Sequence, residues 1–179
     1  MSCIPSTPVV SPVLTTPAET YGWAQLGTGL ITSALSQYYP ILAGVIPFAN
    51  MATTTNQHII LRQLEFEETA TSSANIKKCP LLVLLYSGTA PTSPTSGQVY
   101  NGSTTDLVGV VEIAAADYKR VSDTVWLATV KLDLYIRTAT TALGTTLNCV
   151  VLSNSGTTVT FAASATGRLR VITEQATAL

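Results

Sequence analysis

Charge is scarce in this chain. Asp, Glu, Lys and Arg together make up 11% of its 179 residues, against about 25% in an ordinary soluble domain. Surface that carries so little charge has to be covered by something other than water. The few cations are scattered and the formal net charge is −1, so no basic stripe exists to neutralise phosphates, which excludes nucleic acid as a partner. Histidine is rarer still: His58 is the only one. Most Ser-His-Asp and Cys-His mechanisms need an imidazole base, and a lone histidine at the start of an apolar strand reads as a strand-end or interface residue.

Cysteine is nearly absent as well. Cys3, Cys79 and Cys149 form no CxxC pair and have no neighbouring histidine, so no metal-ligand spacing exists. Their odd number argues against a disulfide framework, and free, buried thiols are expected. No basic stretch followed by an apolar one opens the chain as a secretory leader would, and synthesis in a bacterial cytoplasm is expected. Thr28, Thr32, Ser36, Gln37, Pro40 and Pro47 interrupt the most apolar region before it reaches the about 18 residues of a membrane span. Phosphate-loop, dinucleotide and HExxH motifs are missing; Gly27-Thr28-Gly29-Leu30 lacks both the preceding strand and the later glycine of a dinucleotide loop. No cofactor is expected.

What is present is apolar and β-prone. Hydrophobic residues reach 46%, and the polar complement is mostly Thr and Ser, with Gly and Pro punctuating short runs. From Met1 to Leu61 the one charged side chain is Glu19, whereas every Lys and Arg lies between Arg62 and Arg170. This break divides the chain into an extended, nearly uncharged interaction arm, residues 1–56, and a β-sandwich domain, residues 57–179. Pro5, Pro8, Pro12 and Pro17 favour an extended path at the start of the arm. From Tyr21 to Met51 the arm is too hydrophobic to remain disordered. It is expected to be buried against another protein, or against the sandwich across a subunit boundary. Tyr21, Trp23, Leu26, Tyr38, Tyr39, Ile46 and Phe48 are its candidate partner or subunit anchors.

The remainder reads as strands. Gln57–Glu68 alternates, with Ile59, Leu61, Gln63 and Glu65 on one face and Ile60, Arg62, Leu64 and Phe66 on the other. Pro80–Tyr86 is a continuous apolar run, as a central strand covered on both faces would be. Asp106–Ile113, Thr145–Leu152, Thr157–Ala162 and Arg168–Glu174 follow the same logic. Val125–Arg137 alternates most cleanly, with Trp126, Ala128, Val130, Leu132, Leu134 and Ile136 inward. Six or seven strands with short Gly, Ser and Asn turns predict an all-β, antiparallel two-sheet sandwich, jelly-roll-like, with an extended N-terminal arm. Glu65 and Glu67 share a strand face at about 7 Å, a spacing that a glycosidase could use. With Glu68 adjacent, a wet edge or contacts to Lys77, Lys78 or Arg62 explain them more simply. Lys131 and Asp133 read as charges that keep a sheet face wet, and Lys119 and Arg120 as part of a turn over Asp117–Asp123. No enzymatic activity is expected.

The order "LLVLLYSGTAPTSPTSGQVYNGSTTDLVGVVEIAAADY", then the alternating strand to Arg137, then "GTTLNCVVLSNSGTTVTFAASATGRLRVI", resembles the head decoration (cement) proteins of tailed bacteriophages over residues 57–174. The resemblance implies a β-sandwich or jelly-roll subunit, often trimeric, seated between capsomers. It marks Leu81–Tyr86, Asp106–Val111 and Leu147–Leu152 as framework strands and implies no active site. On this reading the chain is a virion protein on the outer capsid surface, bound to the major capsid protein, to itself as a homotrimer and, through its arm, to neighbouring decoration subunits. The alternative is a tail or fibre adsorption module that binds host surface glycans through loops such as Thr89–Gly102. A coat jelly roll is a third reading, but an arm facing packaged genome would be expected to carry Lys and Arg, and this arm has none.

Overall fold

The apolar alternations of the sequence become strands of two packed sheets. The computed structural model describes residues 19–25, 30–52, 57–139 and 145–175. Its strands are β1 (Glu19–Gln25), β2 (Ile46–Phe48), β3 (His58–Thr69), β4 (Leu81–Ser87), β5 (Leu107–Ile113), β6 (Tyr118–Arg120), β7 (Val125–Arg137), β8 (Leu147–Ser153) and β9 (Thr166–Gln175). One sheet runs β1-β9-β3-β7-β6 and the other β2-β8-β4-β5, with every pair antiparallel. Leaving out the short β6, each sheet has four strands, and the chain crosses between sheets at every connection except the β4–β5 hairpin. First and last strands lie side by side. This is the wrapped, doubly crossed order of a jelly roll, and the fold is an all-β, antiparallel two-sheet sandwich.

Ile59, Leu61, Leu64 and Phe66 of β3 and Leu169 and Val171 of β9 face Leu81, Val83 and Leu85 of β4 and Cys149 and Val151 of β8 across the core, all of them buried. The alternation of β7 is as expected, with Ala128 and Ile136 buried and Thr129, Lys131, Asp133 and Tyr135 exposed. The alternation of β3 is not. A β-bulge between Leu61 and Gln63 shifts the register against both neighbours. Ile59 and Leu61 before it therefore share the core face with Leu64 and Phe66 after it. Thr157–Ala162 is no strand and contributes a single bridge, Val159 to Leu35. The expected turn over Asp117–Asp123 opens with β6.

The boundary expected at residue 57 is also corrected. Residues 30–52 are built into the sandwich: β2 pairs with β8, Ile46 opposite Cys149 and Phe48 opposite Leu147. Backbone N–H groups of Leu30, Leu35 and Ile41 donate to carbonyls of Ala165, Val159 and Val151. Leu30, Leu35, Ile41, Leu42, Ile46, Phe48 and Met51 are core residues, each contributing about 1.5–3 kcal/mol by leaving water. β1, also within the expected arm, pairs with β9 over its whole length. The proline-rich residues 1–18 and Leu26 lie outside the described residues.

Candidate interaction surface

The two sheets turn different chemistries outward. On the five-stranded sheet, Glu65 stands directly opposite Arg170, and Glu67 opposite Arg168. Arg170 pairs with Glu65, and Arg168 lies 3.8 Å from Glu67. Arg62, at the bulge, pairs with both Asp133 and Glu174. Opposite charges on facing strands each contribute about 0.2–1 kcal/mol; Glu65 is itself buried, and Arg62, Asp133 and Arg168 are the exposed charges of this face. The two carboxylates with glycosidase-like spacing are thus occupied by arginines of β9, a pairing that no local sequence signal announces. His58 is exposed at the start of β3.

The four strands of the other sheet contain one charged residue, Glu112. Its outward side chains form a second apolar cluster: Tyr86, Val150 and Leu152 are buried, with Leu82, Leu84, Leu107, Val45 and Tyr100 half-buried around them. The segment around Tyr38 and the loop from Gly88 to Asp106 supply the cover. Tyr38 N–H donates to Ser153 O (2.7 Å), Ser153 N–H to Tyr39 O (2.8 Å) and Tyr100 N–H to Tyr38 O (3.0 Å). The cover is partial: Tyr38 keeps 44% of its surface in solvent, Val110 49% and Val99 56%. Tyr38 also has φ 65°, a left-handed conformation that costs a bulky residue about 1–2 kcal/mol. Bonds at its own N–H and carbonyl hold it there and leave its ring exposed, beside this charge-poor face.

Of the seven expected anchors, Tyr38 alone presents a described side chain to solvent. Ile46 and Phe48 are buried in the chain's own core, with Tyr39 packed half-buried against it. That corrects their reading as anchors for a partner: an apolar run looks the same whether its own sheet or another protein covers it. Tyr21 and Trp23 lie on β1, opposite Ile172 and Arg170 of β9, and Leu26 is outside the described residues. Leu82, Leu84, Val99 and Val110 were not singled out from sequence. The unbroken apolar run Leu81–Tyr86 was the available signal for the first two, since β4 is central in its sheet yet covered outwardly only in part.

The loop after β4 also borders a cavity of about 210 Å³ lined by Tyr86, Thr89, Thr92, Ser103, Thr105 and Asp106 among others. Burial, and then its hydrogen bond with Tyr100, push the Tyr86 phenol well above its usual range. At the other end of the sandwich, fully buried Glu68 accepts N–H bonds from Lys77 (2.7 Å) and Lys78 (2.9 Å). The contacts with Lys77 and Lys78 expected for Glu65 and Glu67 are thus made by Glu68 instead, and through the lysine backbones. Lys78 is left-handed, at φ 49°, and its ammonium sits 4.8 Å from the Trp126 ring centroid. Tyr118 donates to Cys79 O (3.0 Å) and packs edge-on against Phe66. Among the described residues, no three His, Cys, Asp or Glu side chains gather as metal ligands would.

No family model and no curated protein matches the chain. Solved structures that it resembles include viral ones. One, from turnip yellow mosaic virus, aligns over 100% of this chain and 88% of its own at 13% identity and TM-score 0.33. Another, from Desmodium yellow mottle tymovirus, aligns over 99% and 98% at 16% identity and TM-score 0.27. The coat protein of tobacco streak virus aligns over 93% of both chains at 14% identity and TM-score 0.26. Likeness at this level adds nothing to the fold that the strand order establishes.

Proposed function

We propose that this chain is a structural virion protein, held in its shell through the outer face of the four-stranded sheet, whose one charged strand residue is Glu112. Within that reading it is a cement subunit on the outside of a tailed-phage head, bound to the major capsid protein and to copies of itself as a trimer. Jelly rolls host many functions, so the reading rests on the surface. The observation that carries it is the contrast between a sheet whose strands hold one charge, Glu112, and a sheet laced with ion pairs. Interface cores are depleted of charge and enriched in aromatic and apolar side chains, and Leu82, Leu84, Val110 and Tyr38 fit that description.

The adsorption reading draws on the hydroxyl-lined cavity beside Tyr86 and Asp106, where a small polyol or sugar unit could lodge. Electron microscopy of virions carrying a gold-labelled copy separates the readings. Label over the whole head supports cement, label confined to the tail tip supports adsorption, and unlabelled particles overturn both. Expression of the chain alone adds a further separation, because closed shells formed without any other protein would make it a coat subunit.

A further inference from the structure

Four strands stand at sheet edges, and the chain treats them unequally. β2 has three residues and contains Pro47; β6 has three and carries Lys119 and Arg120. Shortness, proline and lysine are the devices that keep an edge from pairing with another chain. β1, seven residues long, opens on Glu19. β5 is seven residues long, LVGVVEI, with no proline, lysine or arginine. Among the described residues it pairs with β4 alone. Val110 at its middle is 49% exposed.

We infer that two copies of this chain join edge to edge through β5, antiparallel across a two-fold axis, so that the two four-stranded sheets become one. The contact extends the packing reading above by naming the partner at one border of the charge-poor face, and it is separate from any three-fold contact within a trimer. The side-chain pattern selects the register. Val111 and Ile113 are buried toward the core, and Gly109 faces it too, since a Cβ there would lie 2.6 Å from Leu134 Cδ2; Val110 and Glu112 point outward. Centring the axis on Val111 sets Gly109 opposite Ile113 and Val110 opposite Glu112 of the other copy, inward with inward and outward with outward, as a continuous sheet requires. Glu112 then faces a valine and not its own copy. The two Glu112 residues stand about 8 Å apart by strand geometry, near the screening length of about 8 Å at physiological salt, so their repulsion does not prevent pairing.

The register predicts a charge-swap result in the full-length chain, read by sedimentation equilibrium over a range of concentrations. Wild type shows a step that doubles the mass of the smaller species. Val110→Glu puts two like-charged pairs across the axis and weakens that step about fivefold. Val110→Glu with Glu112→Lys restores it, because each new glutamate then faces a lysine. Circular dichroism confirms that both variants are folded, as expected for changes at exposed positions. Absence of a doubling step in wild type, a Val110→Glu chain that associates as tightly as wild type, or a double variant as weak as the single one would each overturn the inference. None of these outcomes bears on where the chain sits in a virion, which the labelling experiment reads.

Discussion

Replacing Glu68 tests how the chain tolerates a carboxylate with no solvent exposure. Its two oxygens accept the backbone N–H groups of Lys77 and Lys78 at 2.7 and 2.9 Å, which fixes the loop between β3 and β4. Hydrogen bonds to a charged group are worth about 1.5–3 kcal/mol each. Against them stands the cost of burying the charge, and here burial dominates. It holds the Glu68 carboxyl above the usual glutamate range, although the two N–H bonds and then the Lys77 and Lys78 charges pull it back down. Glu68→Ala forfeits both bonds and relieves the buried charge, for a net loss of about 2–4 kcal/mol out of a total stability of about 5–15 kcal/mol. Glu68→Gln keeps one acceptor and loses about 1–2 kcal/mol near neutral pH.

The pH dependence has a definite sign. Between the unfolded and the raised native value, the native state holds a proton that the unfolded chain has lost, so stability falls as pH rises through that window. Urea denaturation of wild type and Glu68→Gln from about pH 4 to about pH 8 isolates this group, since every other titration is shared. The advantage of wild type over the variant should be largest at the acid end and shrink as pH rises. A constant gap, or one that widens with pH, would refute the reasoning.

Truncation tests whether the segment before β3 belongs to the core. Removing residues 1–51 deletes β1, β2 and core side chains from Leu30 to Phe48, worth together about 10 kcal/mol or more, and circular dichroism should show an unfolded chain. Phe48→Ala alone should cost about 3–5 kcal/mol in denaturant; a loss below about 1 kcal/mol would show that the segment is not core. At Gly167 an added Cβ would sit 2.8 Å from Phe66 Cζ and 2.9 Å from Leu30 Cδ2, so Gly167→Ala should destabilise by about 1–3 kcal/mol, with a neutral result placing that side of the core elsewhere. Burial pushes the Cys79 and Cys149 thiols up. With Cys3 changed to Ser, a thiol reagent at about pH 8 should label the native chain slowly and two sites at once after unfolding, and rapid native labelling would contradict the packing of both.

Much of the sandwich was legible because a strand with one buried face writes its period into the sequence. β7 shows this best, since every second residue from Ala128 to Ile136 leans inward. β3 was legible as a strand but misread by face, because its bulge between Leu61 and Gln63 depends on both neighbouring strands. β2 and β6 have three residues each, too few to show a period. Of the Tyr21 to Met51 region, residues 30–51 do bury their apolar side chains. What its composition did not contain was the owner of the covering surface, and for residues 30–52 that owner is the chain's own β8 and the segments around Val159 and Ala165. The contrast between the outer faces was hidden for a similar reason: it becomes visible when the sheet order sets Leu82 and Leu84 beside Val150, Leu152 and Val110.

The central claim is that the charge-poor outer side of the four-stranded sheet packs against protein while the side bearing the exposed Asp133 and Arg168 stays wet. An electron-microscopy density map of a virion that carries this chain tests it in one measurement. Neighbouring subunits should lie over Leu82, Leu84 and Val110, with open solvent over Asp133 and Arg168. A map in which those three residues face bulk water while Asp133 and Arg168 are covered by protein would contradict the account.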